Sequence, residues 1–212
     1  MGTTETLFTT RDDESARMPR VGTESFYRHA LARYGDNAEG VHWRSADSQR
    51  VRFEVLRDLL PDDLSGIDLV DVGCGLGDLY QFLSARGEAP RRYIGLDAVQ
   101  AMVERARVRT GCPILHCDVL SDPLPEADWY LASGTLALLT PDETRAFIER
   151  CLGHVSTGLV FNLLKGRHQS TTFNYQMPDV IEAWANEIGV AVRIVDGYLS
   201  GDFSAALTHR DG

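Results

Sequence analysis

From about residue 64 onward, short apolar runs alternate with longer stretches in which apolar positions recur every three or four residues. The runs at 67–72, 92–97, 113–118, 127–133 and 158–164 read as strands, because each is brief and bounded by turn residues. The segments 79–86, 98–110, 140–152 and 179–188 read as helices. In the last of these, Ile181, Trp184, Ala185 and Ile188 share one face. Thr140-Pro-Asp-Glu143 is a helix start: Thr140 is the N-cap, Pro141 takes the first helical position and Glu143 completes a capping box. Two further strands, 190–195 and 203–209, flank Ser200-Gly201-Asp202. Upstream, 23–34 reads as a helix with Phe26, Ala30, Leu31 and Tyr34 on one face, and 46–60 as another, stopped by Pro61.

Strands that alternate with helices form a parallel sheet covered on both faces. The short link between the last two strands allows only antiparallel pairing. The expected fold is therefore α/β: a doubly wound, Rossmann-like, mostly parallel sheet of seven strands. Its last strand is antiparallel and expected at the edge, and an N-terminal helical lid precedes it. Residues 1–20 are expected as a disordered tail, 21–62 as a helical cap and 63–212 as the sheet domain.

Charge narrows the partners. The chain has 212 residues, 43% of them apolar, and 21 Lys and Arg against 31 Asp and Glu, a formal charge of −10. So acidic a surface disfavours nucleic acid and anionic membranes. A small-molecule substrate is the expected partner, with a homodimer left open. The four cysteines form no CxxC pair and the N-terminus has no apolar signal core, so a cytoplasmic setting is expected. No spacing of His, Cys or carboxylates suggests a metal.

The chemistry concentrates in Asp71-Val-Gly-Cys-Gly-Leu-Gly-Asp78, a glycine-rich turn after the first strand and before a helix. Such a turn is the nucleotide-binding corner of an α/β sheet. Asp97 ends the second strand, where a carboxylate takes ribose hydroxyls, and Asp118 ends the third, facing the crevice. A dinucleotide fingerprint needs glycine where Asp78 stands. Two carboxylates at this helix start also oppose a pyrophosphate. They suit a ligand with cationic groups and no phosphate, such as S-adenosylmethionine.

Asp71-Val-Gly-Cys-Gly-Leu-Gly resembles the first motif of the class I S-adenosylmethionine-dependent methyltransferases of small-molecule type. Tyr93-Ile-Gly-Leu-Asp97 resembles their second, Cys117-Asp118-Val119 their adenine-contacting segment, and Asp128 to Gly134 their fourth-strand motif. The resemblance implies that Gly73, Cys74 and Gly75 approach the methionine portion of the cofactor. Asp71 would brace the loop or meet the ammonium, and Asp97 would take the ribose. Ala98 and Met102 would wall the adenosine, and Asp118 and Val119 would meet the adenine. Ser133 and Gly134 would lie near the sulfonium.

Gln49 and Arg52, three apart on one helix, are positioned to reach the cofactor carboxylate, with a solvated helix face as the competing reading. His42 is the candidate general base. Tyr27 and Trp43 from the lid, and Lys165, His168 and Tyr175 from the segment after the fifth strand, are candidate substrate residues; the latter group suits an acidic or polar acceptor. The expected reaction is in-line methyl transfer to an oxygen or nitrogen atom, driven mainly by proximity. An NAD-dependent oxidoreductase and a non-catalytic cofactor-binding domain are the alternatives.

Overall fold

The computed structural model describes residue 22, residues 45–167 and residues 170–210. The expected helix at 23–34, and with it Tyr27, His42, Trp43 and His168, lies outside the described residues. The described chain forms α1 (Ala46–Arg57), β1 (Asp68–Val72), α2 (Asp78–Ala85), β2 (Arg92–Asp97), α3 (Gln100–Thr110), β3 (Ile114–His116) and β4 (Ala127–Ala132). A 3₁₀ turn (Thr135–Leu138), α4 (Pro141–Leu152), β5 (Val155–Lys165), β6 (Tyr175–Gln176), α5 (Pro178–Ile188), β7 (Ala191–Asp196) and β8 (Asp202–Thr208) follow.

The sheet runs β3-β2-β1-β4-β5-β8-β7, with the two-residue β6 paired to the end of β5. Neighbours from β3 to β5 are parallel. Strand β8 is antiparallel to both β5 and β7. This corrects the expected order: the antiparallel strand is interior, and β7 forms the edge. The composition of the two explains the placement. Six of the seven β8 residues are buried, whereas β7 carries Arg193 at mid-strand and buries none. A charge in mid-strand marks an edge, because only an edge strand can keep it in water. Strand β3 is also shorter than expected. The Asp118 backbone N–H leaves the ladder to donate to the Asp122 carboxylate at 2.9 Å.

Alternation along the strands divides the core in two. Val70, Leu96, Tyr130, Leu159, Phe161, Phe203 and Ala205 face α4 and α5, packing against Phe147, Ile148, Ile181 and Ala185. Leu69, Tyr93, Trp129, Leu131, Val160 and Ala206 face the other way, against Leu79, Leu83, Val103 and Ala106 of α2 and α3 and Phe53 and Leu56 of α1. Helix α1 is thus part of the main core. It stops at Arg57, whose buried guanidinium donates to the carbonyls of Pro61 (2.9 Å) and Asp62 (2.7 Å) and to Glu88 (2.9 Å).

The start of α4 carries the anticipated capping box. Glu143 N–H donates to Thr140 Oγ1 at 3.2 Å, and the Glu143 carboxylate accepts from Thr140 N–H at 2.9 Å. Thr140→Ala is expected to lower stability by about 1 kcal/mol, a cap's usual contribution. Urea unfolding of the variant checks this. An unchanged midpoint would show that the Glu143 arm suffices.

Candidate active site

The sheet face that carries Leu69, Tyr93, Trp129, Leu131, Val160 and Ala206 changes character at one end. Continuing along each strand by the same two-residue step brings Asp71, Asp97, Ser133, Asn162 and, on the reversed strand β8, Asp202. These groups converge on a cleft of about 470 Å³ at the C-terminal edge of the parallel strands, where open α/β sheets bind ligands. Asp71, Gly73, Cys74, Gly75, Asp97, Ala98, Met102, Asp118, Val119, Ser133 and Gly134 all line it, as do Gln49 and Arg52 from α1.

The glycine-rich turn is bound to the strand beside it. Gly73 N–H and Cys74 N–H both donate to the Leu96 carbonyl, at 2.7 and 3.0 Å. Gly75 N–H donates to Asp97 Oδ2 at 2.8 Å, and Val99 N–H to Asp97 Oδ1 at 2.9 Å. Asp97 therefore clamps two loops, and each oxygen keeps a second lone pair for a ligand hydroxyl. Gly73 has φ +70°, and a Cβ there would lie 2.3 Å from Thr135 Oγ1. Thr135 cannot easily withdraw, because its hydroxyl donates to the Val72 carbonyl at 2.7 Å.

Two carboxylates are perturbed by burial. Asp71 is raised to about 7; loss of hydration outweighs the bond from the Tyr93 hydroxyl (2.5 Å), and the charges of Asp97 and Asp78 add to the rise. Asp97 is raised to about 6 by burial, against the pull of the two N–H bonds it accepts. Burial also raises the Cys74 thiol well above its ordinary value and the Cys117 thiol to about 11, so both stay protonated near neutrality.

The Asp78 charge at the start of α2 is compensated within the chain. The carboxylate accepts from Arg109 Nη2 at 2.7 Å and from Gln49 Nε2 at 3.2 Å. Arg52 forms a buried ion pair with Asp202 at 2.5 Å. One turn of helix α1 is thereby fastened on two sides of the cleft, to α2 through Gln49 and to β8 through Arg52.

Beyond the glycine turn, Asn162 organises the end of β4. Its Oδ1 accepts from Gly134 N–H at 2.8 Å and its Nδ2 donates to Ser133 Oγ at 3.3 Å. Asn174 fastens the segment after β5. Its N–H donates to the Ala137 carbonyl (2.8 Å), its Nδ2 to Thr144 Oγ1 (2.8 Å), and its Oδ1 accepts from Gln176 Nε2 (3.0 Å). The anchored backbone holds Tyr175 and the exposed Phe173 against the cleft.

Lys165 does not join this group. It lies off the cleft lining, with its ammonium on Asp196. Arg167 sits beside Asp179 at 3.6 Å, also off the lining. Both cations thus lie beside acids of the chain, and neither lines the cleft. Thr135, Asn162, Asn174 and Asp202 were not singled out from sequence. An amide inside the apolar run Leu159 to Leu164 was the available signal for Asn162, since a buried polar group needs partners.

No group of three or more His, Cys, Asp or Glu among the described residues is arranged to hold a metal ion. No helix among them is long and apolar enough to cross a membrane.

Residues 69–158 match the family model described as a methyltransferase domain. No curated protein sequence matches the chain. Among solved structures, magnesium protoporphyrin IX methyltransferase from Synechocystis PCC 6803 with bound S-adenosylmethionine superposes with a TM-score of 0.67 at 18% identity, covering 88% of this chain and 93% of that one. The DhpI complex with S-adenosylmethionine and HEP gives 0.67 at 18%, over 86% and 94%. The pyocyanin biosynthetic protein PhzM gives 0.64 at 20%, over 87% and 62%.

Proposed function

We propose that this chain, which carries a methyltransferase domain on the class I S-adenosylmethionine-dependent fold, transfers a methyl group from S-adenosylmethionine to an oxygen or nitrogen atom of a small molecule. The observation that carries this reading is the switch of one sheet face from apolar side chains to three acids, a hydroxyl and an amide at the C-terminal edge of the parallel strands. The donor set fits the cofactor. Asp71 offers a buried carboxylate to an ammonium, the unused lone pairs of Asp97 suit the ribose hydroxyls, and Met102 and Ala98 provide an apolar wall for the adenosine. Arg52, beside Asp202, is the candidate partner of the cofactor carboxylate. When bound, S-adenosylmethionine supplies a methyl group activated by its sulfonium.

The protein's own part is to bring a nucleophile in line with that methyl and to exclude water. Ser133 and Gly134, held by Asn162, line the cleft on the side of the 3₁₀ turn, where the acceptor would enter. Neither His nor Lys is among the described residues that line the cleft. His42 remains the proposed base for an acceptor that must lose a proton.

Calorimetry with S-adenosylmethionine, S-adenosylhomocysteine and NAD tests the cofactor, and labelled methyl transfer into fractionated metabolites tests the reaction. Binding of NAD alone would sink the reading. Donor binding without transfer into any metabolite pool would favour the non-catalytic alternative.

Asp71 adds a pH signature. Its folded value of about 7 lies above the ordinary carboxylate value. Between the two, the native state holds the extra proton, so this group's contribution to stability falls as pH rises from about 4 to about 7 and is level beyond. An ammonium seated beside Asp71 favours the ionised form. Cofactor binding at about pH 6 is therefore expected to release most of one proton, and at about pH 8 almost none. Calorimetry in buffers of different ionisation enthalpy measures this, and Asp71→Asn should remove the larger part of the release at about pH 6, leaving the smaller part that belongs to Asp97, raised to about 6. Equal release by that variant would place the proton elsewhere.

A further inference from the structure

The proposed function leaves the acceptor unnamed, and the far end of the cleft narrows it. That end is bounded by the 3₁₀ turn, the end of β5, the anchored segment 173–175 and residues 200–202. Its lining is largely apolar, through Leu138, Leu139, Leu164, Phe173 and Tyr175. Phe173 is 37% exposed, one of few large apolar side chains among the described residues that face water to that extent. It is not on a loose tip. Its N–H donates to Ser170 Oγ at 3.0 Å, and the next residue, Asn174, is fixed by the bonds described above. An aromatic ring held at a cleft mouth by an anchored backbone is a surface prepared for an apolar partner.

Charge sets the second limit. Asp71, Asp78, Asp97, Asp118 and Asp202 all line the cleft, against the single cation Arg52 among the described lining residues, and Arg52 is paired with Asp202. Lys165 and Arg167 are engaged by Asp196 and Asp179 away from it. In a chain of formal charge −10, an anionic acceptor would enter against the field and find no free cation in this lining.

We infer that the acceptor is an uncharged, largely apolar small molecule with a ring system, whose body lies against Phe173 and Leu164 and whose nucleophilic atom points toward the Ser133–Asn162 pair. The inference rests on reading the cleft as a methyl-transfer site, and it replaces the acidic or polar acceptor that the sequence of the segment after β5 suggested.

The test compares pairs of probes that differ by one carboxylate: 2-naphthol against 6-hydroxy-2-naphthoate, and indole against indole-5-carboxylate. Binding is followed by equilibrium dialysis near neutral pH, on the protein loaded with S-adenosylhomocysteine and on the protein alone. The neutral member of each pair should bind at least about tenfold tighter, and the gap should narrow in high salt. Phe173→Ser should weaken the neutral probes by about fivefold or more, with S-adenosylhomocysteine affinity unchanged. Phe173→Lys should reduce the preference for the neutral member. The proposal is overturned if neither neutral probe binds, if the carboxylates bind equally well or better, or if Phe173→Ser leaves neutral-probe binding unchanged. Failure of the underlying reading appears separately, as absence of S-adenosylhomocysteine binding in calorimetry.

Discussion

Replacing Asp97 with alanine is expected to weaken S-adenosylhomocysteine binding by about 100-fold or more, near 3 kcal/mol. The size follows from the number of roles that one carboxylate fills. Its two oxygens accept from Gly75 and Val99, and these bonds hold the glycine turn and the start of α3 in register. Alanine leaves two buried N–H groups without their acceptor, and the loop that should meet the methionine portion loses its clamp. The same truncation removes the acceptor proposed for the ribose. Asparagine is not a conservative replacement here. Both oxygens face donors, so one N–H would meet an amide NH₂ in place of an oxygen. Asp97→Asn should therefore bind nearly as poorly as Asp97→Ala. Calorimetry on both variants decides the matter; affinity within about threefold of the parent for Asp97→Ala would remove this residue from the site.

Gly73→Ala is expected to produce the second large effect, this one on stability and binding together. The position has φ +70°, which costs an L-residue roughly 1–2 kcal/mol, and the added Cβ would lie 2.3 Å from Thr135 Oγ1. Relief requires Thr135 to swing away from the Val72 carbonyl, uncovering a buried acceptor. Together these predict a loss of about 3 kcal/mol or more, a fall in Tm of roughly 10 °C for a chain of this size, and no measurable cofactor binding. The double variant Gly73→Ala/Thr135→Ala should recover part of the stability, because the two closest contacts, with Thr135 Oγ1 and Cγ2, go while the contact with its Cβ at 3.0 Å, the unpaired Val72 carbonyl and the backbone strain stay. A Gly73→Ala protein that melted with the parent and bound S-adenosylhomocysteine normally would refute the steric argument.

The parts of the molecule that were legible in the sequence share a physical origin. Strands β1, β2, β4 and β5 are buried on both faces, so they appear as continuous apolar runs, and the helices between them carry one apolar stripe. The polar end of the cleft was legible for the same reason: its carboxylates stand where those runs stop. Asp71, Asp97 and Asp118 could be placed by counting from the strands alone. What could not be read depends on contacts between distant segments. A short link shows that β7 and β8 pair, and says nothing of which one reaches β5; Arg193 in mid-strand was the clue. Strand β6 has two residues and no periodicity. Lys165 looked like a binding residue because its partner Asp196 lies in another strand. Asp78 was counted only as a charge opposing a pyrophosphate because Arg109, which pairs with it, lies a helix away. Ion pairs of this kind leave no local pattern.

The interior position of β8 also sets an order of assembly. Strand β7 precedes β8 in the chain, yet β8 is its only strand partner among the described residues. As the polypeptide leaves the ribosome, β5 presents an open edge and β7 waits without a neighbour until β8 emerges between them. One late segment then completes three features at once. It seals the flank of β5, gives β7 its partner, and delivers Asp202 to Arg52 across the cleft. The half of the sheet that carries the glycine turn can form early in synthesis. The Arg52–Asp202 pair that closes the opposite side of the cleft waits for β8.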